Sequence, residues 1–220
     1  MGKKIWLIIA VVLLICGIGL FTFAMQNLGW DYRELSTTKY ESRTYDITED
    51  FENIQIDIST ADITFCLSKD GKCRVECQEN EKFKSDVSVI DNTLTVKENE
   101  NQKWYDHIGF NIGFAKISVY LPEKAYNSLD INASTSDILI KNFAANTVKI
   151  KTSTGDIEFK GADAEELDIK TNTGDVFGTL LSDKTFVTET NTGTVKVPKS
   201  TSGGKCKIKT NTGDIKITIE

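Results

Sequence analysis

The sequence predicts an all-β protein: a β-solenoid, or single-stranded β-helix-like, repeat domain with a β-meander insertion, preceded by one N-terminal transmembrane helix. Three observations predict the β part. A six-residue stretch recurs: Thr-Ser-Thr-Gly-Asp-Ile at 152–157, Thr-Asn-Thr-Gly-Asp-Val at 171–176, Thr-Asn-Thr-Gly-Thr-Val at 190–195 and Thr-Asn-Thr-Gly-Asp-Ile at 210–215. Its glycines, Gly155, Gly174, Gly193 and Gly213, step by 19, 19 and 20 residues, and a fixed period of this length marks stacked supersecondary units. The flanks alternate, with Val148 and Ile150 before one copy and Ile157 and Phe159 after it, which is the period of a strand with one buried face. Composition agrees: two prolines in 220 residues, with Thr, Ile and Val plentiful, suit strands.

The chain begins with Lys3 and Lys4 and then runs uncharged over residues 5–25, long enough as a helix to cross a bilayer core of about 30 Å. Basic residues on its N-terminal side put the N-terminus in the cytoplasm and the rest outside. A cleaved signal peptide is the competing reading, but its apolar part is ordinarily shorter and ends in a small-x-small site. The domains are then residues 1–25 as cytoplasmic tip and anchor, 26–45 as a polar tether, and 46–220 as an extracytoplasmic β-repeat domain.

Within that domain, Ser59-Thr60-Ala61-Asp62-Ile63 and Ser134-Thr135-Ser136-Asp137-Ile138 are degenerate copies without the glycine. Residues 66–128 interrupt the repeat. Strands are expected at 72–78, at 86–90 and 93–97 joined by Asp91-Asn92, and at 117–121 ended by Pro122, as a meander that caps or extends the stack. Residues 129–220 carry the regular repeats. Residues 162–166 are expected to form a single helical turn in a return loop. The last strand, 215–220, would end the stack with an open edge.

Cys66, Cys73, Cys77 and Cys206 lie outside the anchor. Cys66 would face Cys73 or Cys77 across a hairpin turning at 68–71, while Cys206 sits at an inward repeat position and reads as a small apolar side chain. The spacing fits no zinc pattern. Net charge is −6, which argues against nucleic acid and against charge-driven adhesion to anionic lipid.

The strand ending Val-Tyr-Leu-Pro at 119–122, then Ser-Leu-Asp-Ile at 128–131, then serial Gly-Asp-Ile corners resembles the bacterial DUF4097 family of adhesin-labelled proteins. The resemblance covers about residues 54–220. It implies a β-solenoid-like extracytoplasmic domain behind a membrane anchor, sometimes linked to envelope-stress systems, and it brings no catalytic residues. Ser136 and Ala61 for Gly, Thr194 for Asp and Gly178 at an apolar position depart from the pattern in corner and core details.

Stacking would align like positions about 4.8 Å apart. Thr152, Thr171, Thr190 and Thr210 would form one ladder and Thr154, Thr173, Thr192 and Thr212 another. Asp156, Asp175 and Asp214 would align beside them, interrupted by Thr194. The repeat-turn residues Gly155, Asp156, Gly174, Asp175, Gly193, Gly213 and Asp214 are therefore read as structural. The sharper alternatives are a calcium-binding Asp column and a polar ladder that holds a glycan or peptide. Trp104, Tyr105, His107, Phe110 and Phe114, in the aromatic stretch 99–116, are a candidate partner contact, or else local core at the end of the stack. No Gly-x-Ser-x-Gly elbow, His-Glu-x-x-His or phosphate-cradling loop occurs, and His107 is the lone histidine, so an enzyme is not expected. The expected function is non-enzymatic binding or scaffolding at the cell envelope, with an envelope protein or glycan as partner, no cofactor, and the bilayer met through residues 5–25. The alternatives are an accessory or sensory part of an envelope-stress response and a glycan-active enzyme.

Overall fold

The structure is a computed structural model and describes residues 2–27, 29–30, 41–79, 84–98 and 115–220. The chain divides into two units, described separately.

The first holds α1 (Gly2–Asn27), an unbroken helix with no acidic residue in its first turn and no proline. Its Ile, Leu, Val and Phe side chains are exposed, as a helix apolar on all sides must be outside a protein core. By length and composition α1 is a candidate membrane anchor or signal sequence.

The second unit is built of sixteen strands in two ladders. They are β1 (Glu41–Ile47), β2 (Asn53–Thr60), β3 (Asp62–Leu67), β4 (Cys73–Glu79), β5 (Ser85–Ile90), β6 (Thr93–Glu98), β7 (Lys116–Leu121) and β8 (Ala125–Thr135). There follow β9 (Ile138–Lys141), β10 (Ala144–Lys151), β11 (Ile157–Lys170), β12 (Val176–Leu180), β13 (Lys184–Thr192), β14 (Val195–Lys196), β15 (Gly204–Thr212) and β16 (Ile215–Ile219). One ladder runs β1-β4-β7-β3-β9-β11-β12-β16-β14 and the other β5-β6-β2-β8-β10-β11-β15-β13. Strand β11 serves both, its first half in one ladder and its second in the other, with Gly161 between them. Residues 162–166 are therefore strand, not the helical turn the sequence suggested. The pattern of Ala162, Ala164 and Leu167 buried keeps them in the core as the chain crosses.

Alternation builds the interior. Ile54, Ile56, Leu129, Ile131, Val148, Ile150, Leu167, Ile169, Cys206 and Ile208 bury the inner face of one ladder. Ile63, Phe65, Ile138, Ile140, Ile157, Phe159, Val176, Ile215 and Ile217 bury that of the other. A fully buried Ile contributes about 1.5–3 kcal/mol relative to an exposed one. Among the described residues the core cluster spans Phe51 to Ile217 and includes none of α1, so residues 41–220 carry their own core.

The meander is antiparallel and closes one end. Strand β1 pairs with β4 and β4 with β7 on one ladder, and β5 pairs with β6 on the other. Asp91 and Asn92 both have positive φ, 48° and 60°, as a two-residue type I′ hairpin requires. Tyr45 ties the two ends together: its hydroxyl donates to Glu79 Oε1 and lies 3.0 Å from the Ser85 carbonyl. Burial together with the Glu79 carboxylate pushes the Tyr45 phenol up to about 12.

At the opposite end, stack order departs from chain order. Strand β15 lies between β11 and β13, and β16 lies between β12 and β14. The last coil in sequence is thus slotted inside the preceding one. The expected open edge at 215–220 is absent; the outer edges are β13 and β14, whose Val187 and Val195 are exposed. The link from β12 to β13 steps over a level, and a buried cation anchors it. Lys184, 1% exposed, donates to Asp163 Oδ1 at 2.7 Å and to Ser182 Oγ. Burial raises the Asp163 carboxyl, but the hydrogen bonds from Lys184 and Ser182 outweigh it and hold it below its usual value.

Candidate functional site

The corner residues form a continuous spine. Gly155, Gly174, Gly193 and Gly213 have φ between 129° and 149°, and a Cβ on any of them would overlap the carbonyl of the corner stacked against it. Those neighbours are Ser136 for Gly155, Gly155 for Gly174, Gly174 for Gly213 and Gly213 for Gly193. Ala61 and Ser136 have no positive φ, which is why those corners dispense with glycine. Gly178 is held by the same close approach: at φ 130° its Cβ would overlap the Phe159 carbonyl.

Each Asp carboxylate accepts the backbone N–H of the Asp in the next corner. Asp137 N donates to Asp62 at 3.3 Å, Asp156 to Asp137 at 2.8 Å, Asp175 to Asp156 at 2.7 Å and Asp214 to Asp175 at 2.7 Å. Thr194 N closes the series on Asp214 at 2.7 Å. Thr194 therefore does not interrupt the column; it ends it, at the edge coil where no further N–H needs an acceptor. The Thr194 amide and hydroxyl hold the Asp214 carboxyl below its usual value, whereas burial followed by the nearby Asp137 charge raises Asp62. Thr152 and Thr210 are buried and donate to corner carbonyls, at 3.1 Å to Thr154 O and 3.2 Å to Gly174 O. Asn172, Asn211 and Asn191 chain their amides alongside. Among the described residues no group of three or more His, Cys, Asp or Glu gathers as a metal site.

Trp104, Tyr105, His107, Phe110 and Phe114 lie outside the described residues. The cysteine pairing expected from sequence does not form. Strand β7 lies between β3 and β4, so Cys66 is two strands from Cys73, roughly 10 Å against a disulfide limit of about 7 Å. All the cysteines are free. Burial pushes the thiols of Cys73 and Cys206 up to about 12 and that of Cys77 to about 11.

One concave feature with an apolar floor arises from topology. Strands β2 and β3 share a level, as do β8 and β9. Beyond β3, however, the chain leaves for β4 instead of turning back into the other ladder. The link from β7 to β8 passes over that level. The missing return corner leaves a groove of about 490 Å³, within the size range of small-molecule sites. Phe65, Tyr126 and Phe143 floor it, Leu67, Leu121 and Leu181 flank it, and Lys124, Lys141 and Glu123 stand at its rim. Tyr126 and Phe143 stack with centroids 5.5 Å apart. The Tyr126 hydroxyl is satisfied by the Pro122 carbonyl at 3.2 Å, and burial raises its pKa. Nothing in the sequence pattern announces this groove, because its residues come from the ends of elements that are far apart in the chain.

Fold and spine define a class: a β-solenoid-like repeat protein whose corner polar groups hold coil to coil. The chain belongs to the Toastrack DUF4097 family, whose model matches residues 51–220. Among solved structures it is similar to a candidate cell adhesion protein from Clostridium sporogenes, with TM-score 0.59 and 13% identity over 83% of this chain and 100% of that one. It is also similar to a candidate adhesin from Bacteroides fragilis (TM-score 0.43, 16% identity, 84% and 99% covered). A third is a candidate lipid-binding protein from Parabacteroides distasonis (TM-score 0.34, 13% identity, 83% and 98% covered). Identities this low speak to the fold alone. No curated protein matches the chain.

Proposed function

We propose that this chain is a membrane-anchored, non-enzymatic binding and scaffold protein of the cell envelope, with α1 in the bilayer, its N-terminus cytoplasmic and the β domain outside. The observation that supports this reading most is the spine. The residues most repeated in the sequence are consumed in joining coils, at 2.7–3.3 Å from carboxylate to amide, which suits a rigid presenting surface better than reaction chemistry. The partner is an envelope protein or glycan that meets the outer faces of the ladders. The candidate anchor α1 favours a second reading, an accessory or sensory role in an envelope-stress response acting through the helix.

The experiment is capture from solubilised envelopes with residues 41–220 as bait, beside complementation of a deletion strain by the same residues in secreted form. A binder retains a specific envelope component and complements without α1. Capture of nothing above a spine-disrupted control sinks the binding reading, and complementation that requires α1 selects the second.

A further inference from the structure

We propose that the return-corner groove binds an anionic amphiphile with one apolar tail, a site separate from the adhesive faces and independent of that reading. The walls offer carbon, from half-buried Leu67 and Pro122 and exposed Ala125, over a floor closed by buried Phe65, Tyr126 and Phe143, and Tyr126 has spent its hydroxyl on Pro122. A sugar needs hydrogen-bonding partners that this floor lacks, so a glycan does not suit it. Leu181, 51% exposed, extends the apolar wall into solvent where an occupant would cover it.

The dimensions select a chain. From the Pro122 corner on β7 to Leu181 beyond β12, the ladder takes four strand steps, β7-β3-β9-β11-β12, or roughly 19 Å. That leaves room for an acyl tail laid across the strand ends. The rim selects the head. Lys141 is half-buried and has no ion pair among the described residues. Lys124 makes one hydrogen bond, to the Phe51 carbonyl at 2.7 Å, and its ammonium sits 5.0 Å from the centroid of the Tyr126 ring, which puts positive charge beside the floor. Against them stands a single acid, the exposed Glu123. A carboxylate or phosphate head between the lysines would gain charge-assisted hydrogen bonds while its tail leaves water.

The test is titration calorimetry on residues 41–220 with decanoate, decanol and lysophosphatidylglycerol, each below its micellar threshold. Expected is saturable one-to-one binding of at least one anion, about tenfold tighter than decanol. Lys141→Glu should weaken the anion about tenfold and leave decanol unchanged, while Leu181→Asp should weaken both. Circular dichroism confirms that the variants fold. Decanoate binding points to a free fatty acid as the source; binding of the lysolipid alone points to membrane lipid. No saturable binding of any ligand, equal affinity for decanol and the anions, or indifference to both substitutions overturns the proposal.

Discussion

Stack order and chain order disagree at the last two coils, and Gly213→Ala against Gly193→Ala tests which is right. In sequence order the 210–215 corner is terminal and 190–195 is interior. In the structure the reverse holds: Gly213 packs on the Gly174 carbonyl and offers its own carbonyl to Gly193. Both glycines sit near φ 149°, where any other residue costs about 1–3 kcal/mol. An alanine at 213 also drives its methyl into the Gly174 carbonyl while the 190–195 corner blocks retreat, which adds about 1–3 kcal/mol of overpacking. An alanine at 193 meets the Gly213 carbonyl, but its coil has free solvent behind it and can slide away. Gly213→Ala should therefore cost about 4 kcal/mol and Gly193→Ala about 2. For a domain of this size that lowers Tm by roughly 8–16 °C and 4–8 °C. Thermal unfolding of residues 41–220 followed by far-ultraviolet circular dichroism reads the difference. Equal losses, or a larger loss at Gly193, would refute the stack order.

Three further outcomes follow from the same geometry. Asp163→Ala leaves the Lys184 ammonium buried without its partner and should cost about 3 kcal/mol, whereas Lys184→Met should change stability by less than about 1, measured by urea unfolding. With pH the signs divide: the lowered carboxyls of Asp163 and Asp214 contribute stability that is present above about pH 4 and lost as pH falls through their folded values. The raised Asp62 does the opposite, so Asp163→Asn should flatten the acid side of a Tm-versus-pH curve and Asp62→Asn should lift its neutral side. In residues 41–220 at pH 8, a maleimide should label half-buried Cys66 well before Cys73, Cys77 and Cys206, whose thiols burial keeps protonated; mass mapping of a Cys66–Cys73 disulfide would contradict the placement of β7 between them.

Repeats and strands were legible because their causes are local. A corner that brings backbone against backbone needs Gly, and an inward face needs every second residue apolar. The order of the coils was not legible, because 171–176, 190–195 and 210–215 are near-identical and any of them stacks on any other. One clue was present: Thr194 lacks the carboxylate, and only the outermost corner can spare it. Cys66 misled for a related reason. Proximity along the chain to Cys73 suggested a hairpin, yet β7, more than forty residues later, takes the place between them. The groove was invisible because it is a return corner the chain omits, and no residue pattern encodes an omission.

The inserted coil also makes residues 204–220 the support of the segment that precedes them. Strand β13 pairs with β15, and β14 pairs with β16; neither touches another ladder neighbour. Removing residues 204–220 takes away both partners at once, and residues 181–203 keep only bonds at their start: Leu181 N to the Ala162 carbonyl at 3.0 Å, and Ser182 and Lys184 to Asp163 at 2.7 Å. These few bonds at one end cannot offset the backbone entropy of ordering such a segment, at about 1–2 kcal/mol per residue. The truncated chain should therefore lose two coils, with β12 as its new edge, and trypsin should cut at Lys184, Lys196 and Lys199 while the coils up to β12 resist. A chain stacked in sequence order would lose one coil, and 190–195 would stay protected. Cleavage confined to Lys199, with Lys184 and Lys196 protected, would show that β13 has a partner other than β15.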